Sequence, residues 1–203
     1  MINKVGKLAI IGAGGHSKVV KEIAYLNGYS NIFFFDDYKE KDNKTCHGGT
    51  KELINNSQDF KFFFVAIGNN LNRKEKIELL IKNKLNIINL FHPTSYVSKN
   101  VKYEKGIAIM ANATVNTDTE IGSGSIVNTS SIIEHDCKIG SYVHICPGVK
   151  LAGNVKIGNL TWIGIGSTII ENITIGEKVL VGAGGVVINN IKDKYTVKGI
   201  PAK

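Results

Sequence analysis

Two groups of residues in this 203-residue chain have types and spacings that could do chemistry. The first is Glu134-His135-Asp136. An imidazole beside carboxylates suits a general base, because an adjacent acid orients the ring and raises its basicity. The second is Gly12-Ala13-Gly14-Gly15-His16, joined further on by Asp36-Asp37 and by Gly68-Asn69-Asn70. Glycines between a strand and a helix expose backbone amides and the positive helix end to an anion such as phosphate. An acidic pair at the end of the next strand is placed to accept hydrogen bonds from a ribose or base. Ser17 stands where the Gly-x-Gly-x-x-Gly pattern has its third glycine, so a tight turn that merely needs glycines is the alternative. For His16 the alternative is a side chain that satisfies backbone groups.

The elements that must position these residues come from two sequence periods. From Val97 to Val187 every sixth residue is apolar or aromatic, through sixteen consecutive positions. A small or β-branched residue sits two before most of them, and Gly often follows directly, as at Gly122, Gly140, Gly158 and Gly176. A period of six is neither helical nor simple strand alternation. It predicts a β-helix in which three hexads of about 18 residues close one triangular coil, with coils stacked about 4.8 Å apart. One apolar side chain per hexad points inward, and the adjacent glycines are expected to make the tight corners. After Val187 the repeat stops.

In that frame His135 follows Ile133 by two and His144 precedes Ile145 by one, so both face outward. They lie half a coil apart and cannot easily share a metal within one chain. An exposed surface histidine is the alternative for each. Because no insertion interrupts the repeat from Ile109 to Val187, the prism cannot fold a loop over its own site. Walls for a cleft must come from another copy, which predicts a homotrimer with sites between neighbouring prisms.

The first ninety residues alternate strands and helices. Strands are predicted at Lys7 to Ile11, Ile32 to Phe35, Phe62 to Ile67 and Asn86 to Phe91. Helices are predicted over His16 to Asn27, with Val19, Val20, Ile23 and Ala24 inward, and over Leu71 to Leu85, with Ile77, Leu80, Ile81 and Leu85 inward. This βαβαβαβ order argues a small parallel sheet of Rossmann type. Gly14, Gly15, His16, Asp36, Asp37 and Gly68 then all fall at the carboxyl ends of parallel strands, where open sheets bind ligands. The boundary lies near Pro93, giving a domain over 1–92 and a β-helix over 93–203.

Composition narrows the function classes. A hydrophobic content of 43% is enough for a true core. No apolar run approaches the length of a membrane span, and the short apolar run in MINKVGKLAIIGAGG does not read as a signal peptide. Cys46, Cys137 and Cys146 have no metal-type spacing, so a reduced, cytoplasmic protein is the expectation. The net charge of +8 comes almost entirely from lysines spread along the chain. That suits attraction to small polyanions better than a nucleic-acid footprint.

The repeats resemble the left-handed parallel β-helix of the hexapeptide acyltransferases, and left-handedness is implied by that resemblance. More specifically, the chain resembles the bacterial nucleotide-sugar N-acetyltransferases of the UDP-N-acetylbacillosamine type, within a wider sialic-acid O-acetyltransferase-like group. The residues carrying the resemblance are the Gly-Gly-His opening, Phe35-Asp36-Asp37, Ala66-Ile67-Gly68-Asn69-Asn70, Asn128-Thr129-Ser130-Ser131, Ile133-Glu134-His135, Ala152-Gly153-Asn154-Val155 and the terminal Gly-Ile-Pro-Ala-Lys. The resemblance implies acetyl transfer from acetyl-CoA to the amine of a nucleotide-linked 4-amino-sugar, with UDP the expected nucleotide and no metal. It implies His135 as general base and Asp136, where the family has Glu, as the acid that increases its basicity. It places acetyl-CoA contacts at His144, Ile165 and Ala183, and nucleotide-sugar contacts at Gly14, Gly15, His16, Asp36, Asp37 and Gly68. A sugar O-acetyltransferase and a non-catalytic scaffold or sensor are the competing readings.

Overall fold

The structure, a computed structural model, describes residues 4–203. Residues 1–3, the start of the expected first domain, lie outside the described residues. The chain divides into two units, one closing at Pro93 and the other running Thr94–Lys203.

The first unit is built on a parallel sheet ordered β2-β1-β3, from β1 (Lys7–Ile11), β2 (Asn31–Phe35) and β3 (Phe62–Val65). Leu8 to Ile11 of the central strand are all buried. A strand covered on both faces reads as a continuous apolar run, as this one does. Helices α1 (Gly15–Leu26), α2 (Thr50–Asn55) and α3 (Asn70–Lys82) complete the alternation. The sequence reading did not locate α2, whose single short turn-and-a-half carries too little apolar periodicity. Residues Ser17, Val20, Ile23 and Ala24 form the buried stripe of α1, leaving Val19, expected inward, 44% exposed. On α3 the buried residues are Asn70, Arg73, Ile77 and Leu80, and Ile81 faces out. The expected fourth strand shrinks to a one-residue bridge between Ile87 and Phe63, followed by β4 (Leu90–Phe91). Asn86 and Asn89, poor strand formers, interrupt it.

The second unit is a left-handed parallel β-helix. Its two-residue strands stack in three parallel sheets, each strand pairing with the one 18 residues further on, as in Ile126 with His144 and His144 with Trp162. Every inward residue from Ile109 to Val187 is buried. Val97 and Tyr103 are not, because their coil pairs on one side only. Small residues two before the inward position fill the narrow corners. Four of the polar ones bond to a carbonyl of the next coil, as where Ser125 Oγ donates to Gly140 O at 2.8 Å and Thr161 Oγ1 to Gly176 O at 2.7 Å, whereas Ser131 Oγ donates to Asn128 O of its own coil.

The glycines beside the inward residues do not make the corners. Positive φ falls three residues after the inward position instead, at Asn112, Asp118, Gly124, Ser130, Asp136 and onward at the same spacing. The neighbouring glycines answer a packing demand: a Cβ on Gly122 would stand 2.6 Å from the Ser141 amide of the next coil. The prism also continues past Val187. Thr196–Val197 pairs with Leu180–Val181, an offset of 16 in place of 18. The six-residue rhythm ends there although the stack does not. Among the described residues, no helix is long and apolar enough to cross a membrane.

Candidate active site

His135 sits on a prism edge, two residues past buried Ile133, with 58% of its side chain exposed. The corner residue that follows is Asp136, at φ 60. Asp tolerates this left-handed conformation better than most residues. Its shorter carboxylate reaches the ring from there, with Oδ2 2.8 Å from His135 Nδ1. Nδ1–H therefore donates to the carboxylate, which leaves the lone pair on Nε2, and the ring lies over Gly153 of the next coil. The hydrogen bond to Asp136, with the charges of Asp136 and Glu134, raises the His135 pKa above its ordinary value. A base so arranged keeps its tautomer fixed while it accepts a proton at Nε2.

His144 faces outward from the prism, as its register requires, yet it is 6% exposed and not a surface histidine. It lies in one sheet with Trp162, whose ring centroid is 4.3 Å away, and its Nε2 is 3.0 Å from Asn128 Nδ2. With the amide donating, Nε2 is the acceptor. His144, Ile165 and Ala183 all line one groove of about 350 Å³, together with Asn128, Trp162 and Leu180. Ile165 and Leu180 are 57% and 44% exposed, so the groove is an open apolar trough. His135 does not line it. A single prism separates the base from the groove by half a coil.

A larger hollow of about 660 Å³ runs along the face carrying Lys102, Glu120, Lys138 and Lys156. Rows of glycine make that face shallow, and it contains none of the residues singled out for chemistry.

Burial governs the cysteines. Burial pushes the Cys137 thiol up to about 11 and that of Cys146 to about 12, and Cys137 Sγ donates to Ala152 O at 3.3 Å. Neither is a poised nucleophile.

In the first unit, Gly14, Gly15 and His16 open α1 directly beyond β1, and no side chain caps that helix end. The glycines have open space above them. Asp36, past β2, holds the turn: its Oδ2 accepts from Ala13 N at 2.8 Å and its Oδ1 from Tyr38 N. Asp37 is occupied too. It accepts from Thr50 N and Oγ1 at the start of α2 and pairs with Lys76 at 2.9 Å. Burial works to raise its pKa, but the bonds from Lys76 and Thr50 outweigh that and hold the carboxyl below its usual range.

Sequence reasoning missed Arg73. It is 1% exposed, and its guanidinium donates to Ile67 O (3.0 Å), Gly68 O (2.7 Å) and Asn70 Oδ1 (2.7 Å). This clamp shapes the loop that carries Gly68. Burial lowers its pKa to about 9. The signal was present, because Arg73 is the single arginine in an otherwise lysine-only set of cations. Its planar fork spreads two nitrogens over the three acceptors in a fixed geometry. Burial, with a smaller push from Arg73, lowers the His16 pKa to about 4, so the ring is neutral near pH 7. Its Nε2 is buried and has no hydrogen-bond partner, which does not fit a purely structural role.

The chain is similar to known proteins along both units. Residues 7–80 match the family described as PglD N-terminal domain, and residues 118–153 match the bacterial transferase hexapeptide repeats. UDP-N-acetylbacillosamine N-acetyltransferase of Bacillus subtilis is 35% identical over 114 residues, 51% of this chain and 51% of that protein. The match thus spans about half the length of this curated relative. PerB from Caulobacter crescentus, solved with CoA and GDP-perosamine, superposes with a TM-score of 0.93 at 34% identity, covering 100% of this chain and 99% of PerB. The acetyltransferase domain of PglB from Neisseria gonorrhoeae, with acetyl coenzyme A, gives 0.91 at 39% identity over 97% and 98%. The chain belongs to the left-handed β-helix, hexapeptide-repeat family of bacterial nucleotide-sugar N-acetyltransferases.

Proposed function

We propose that this protein transfers acetyl from acetyl-CoA to the amino group of a nucleotide-linked 4-amino-sugar, and that His135 is the general base. The observation that carries this reading is the His135 Nδ1 to Asp136 contact on an exposed edge, which leaves Nε2 as the nitrogen with a lone pair to accept a proton. The sugar nitrogen attacks the thioester carbonyl as Nε2 takes its proton. The C–N bond forms, the C–S bond breaks, and the departing thiolate receives a proton to leave as free CoA thiol. A backbone N–H holds the developing oxyanion. Asp136 keeps the imidazolium oriented and lowers its cost.

The groove lined by His144, Ile165 and Ala183 is the acetyl-CoA site in this reading, its apolar trough suiting a pantetheine arm. The sheet edge carrying Gly14, Gly15, His16, Asp36, Asp37 and Gly68 takes the nucleotide sugar, the uncapped α1 terminus meeting its phosphates. Because one prism keeps the groove and His135 apart, a neighbouring copy supplies the groove, and the working form is a homotrimer. The nucleotide is UDP, as in the name of the Bacillus relative. The neighbour bound to GDP-perosamine makes GDP the comparison to run. The test is a thiol-release assay with acetyl-CoA against UDP- and GDP-linked 4-amino-sugars and their 4-hydroxy counterparts. Turnover only with the amines supports the proposal. Turnover only with the hydroxyl sugars, or no thiol release at all, overturns it.

A further inference from the structure

His135 lies flat along the prism edge because of what is missing one coil further on. Asn154 N donates to His135 O at 2.9 Å, which locks the two coils together at this point. The residue facing the ring is Gly153, 18 positions after His135. A Cβ placed on Gly153 would stand 2.7 Å from Cε1, 2.8 Å from Nε2 and 3.3 Å from Nδ1 of the imidazole, and meets nothing else that closely.

The backbone does not require a glycine here. Gly153 is not among the positive-φ residues, so an alanine would adopt its conformation without strain. Nor does the repeat. The same register, two residues after each inward position, holds Ser123, Thr129, Ser141, Asn159 and Ile165 in other hexads, and Gly153 is the one glycine there between Lys99 and Asn189. Gly122, Gly158 and Gly164, each directly after an inward residue, are instead excluded from change by backbone of the next coil. At Gly153 the three nearest atoms all belong to the ring of His135.

We propose that Gly153 is a positioning residue for the acetyl transfer: it leaves the space in which the His135 imidazole lies, so that Nδ1 meets Asp136 while Nε2 faces the substrate. The inference rests on His135 being the base. A side chain at 153 swings the half-exposed ring outward at little cost to folding, and separates it from both partners. Acyl transfer is sensitive to such a shift, since a misplacement of about 1 Å can cost on the order of 100-fold.

The experiment compares parent, Gly153→Ala, His135→Ala and the double variant. Gly153→Ala is expected to lower kcat about 10- to 100-fold while KM for acetyl-CoA stays within about threefold. Its melting temperature should be no lower than that of the parent, because Gly→Ala reduces the freedom of the unfolded chain. By NMR the His135 imidazole, which faces the carboxylates of Asp136 and Glu134, should titrate at lower pH in Gly153→Ala than in the parent. In the His135→Ala background the added Gly153→Ala should change nothing further, since the group it would strike is gone. Full kcat in Gly153→Ala, an unchanged His135 titration, a rise confined to KM, or failure of the double variant to fold would each overturn the inference. A His135→Ala protein that keeps its activity would instead overturn the base assignment, and the NMR titration would still decide whether Gly153 sets the ring.

Discussion

Asp136→Asn is the substitution that probes the proposed base most cleanly. Asn is nearly the same size and, like Asp, tolerates the left-handed corner at φ 60. The fold and the 2.8 Å contact with Nδ1 can therefore both survive, with the amide oxygen accepting in place of the carboxylate. What changes is charge. The carboxylate raises the pKa of His135 first through its hydrogen bond and then through its charge, so the variant must titrate lower. Its size is bounded by exposure. The two side chains are 58% and 61% exposed, so solvent screens the pair and its removal weakens the base rather than abolishing it. We expect kcat to fall about three- to tenfold, well short of the loss when a general base is removed. The sign in pH is the sharper test. The base works when neutral, so activity is lost as pH falls through the folded-state pKa of His135. Because Asp136 raises that pKa, the acid limb of the kcat/KM profile should move to lower pH in Asp136→Asn. The variant should be closest to the parent in acid and furthest from it above neutrality. A limb that stays in place or moves upward would refute the assignment of Asp136 as the acid that tunes His135.

Three further outcomes are expected. His135→Ala should lose about 10²- to 10⁴-fold in kcat while still binding both substrates by calorimetry, and a variant above half the parental rate would remove His135 from the mechanism. Arg73→Met should cost about 3 kcal/mol in urea unfolding, since it removes one donor from Ile67 O, Gly68 O and the buried Asn70 Oδ1, and should raise KM for the sugar nucleotide more than for acetyl-CoA. Light scattering at micromolar concentration should report a trimer, and a fully active monomer would contradict completion of the site by a neighbouring copy.

Much of the prism was legible because a six-residue period has one physical meaning: each inward side chain at Ile109 through Val187 meets the same narrow core. The roles of its glycines were not legible in the same way. Corner conformations fall on Asn112, Asp136, Tyr142 and Leu160 as readily as on glycine, and the glycines mark close coil contacts that no single-strand pattern reveals. Facing out of the prism also says nothing of exposure: the alternative of a surface histidine fails at His144, which is covered through Trp162 and Asn128. In the first unit, the edge residues Gly14 to His16 and Asp36 followed from the strand order. Arg73 did not, because a cation on a helix reads as a solvated face until its three carbonyl-type acceptors are seen.

A stack in which each coil pairs only with its neighbours behaves like a one-dimensional chain of coupled units, and opening starts at its ends. The end that breaks the rhythm, where Leu180–Val181 meets Thr196–Val197 at an offset of 16, is the natural place for fraying to begin. His135 and His144 sit several coils inward from it, each with a paired strand or corner above and below. Amide hydrogen exchange should accordingly form a gradient along the prism, fastest toward the last coil and slowest around Ile133 and Ile145. The edge carrying His135 is thereby kept rigid by its place in the queue as well as by its backbone bonds to the coils on either side.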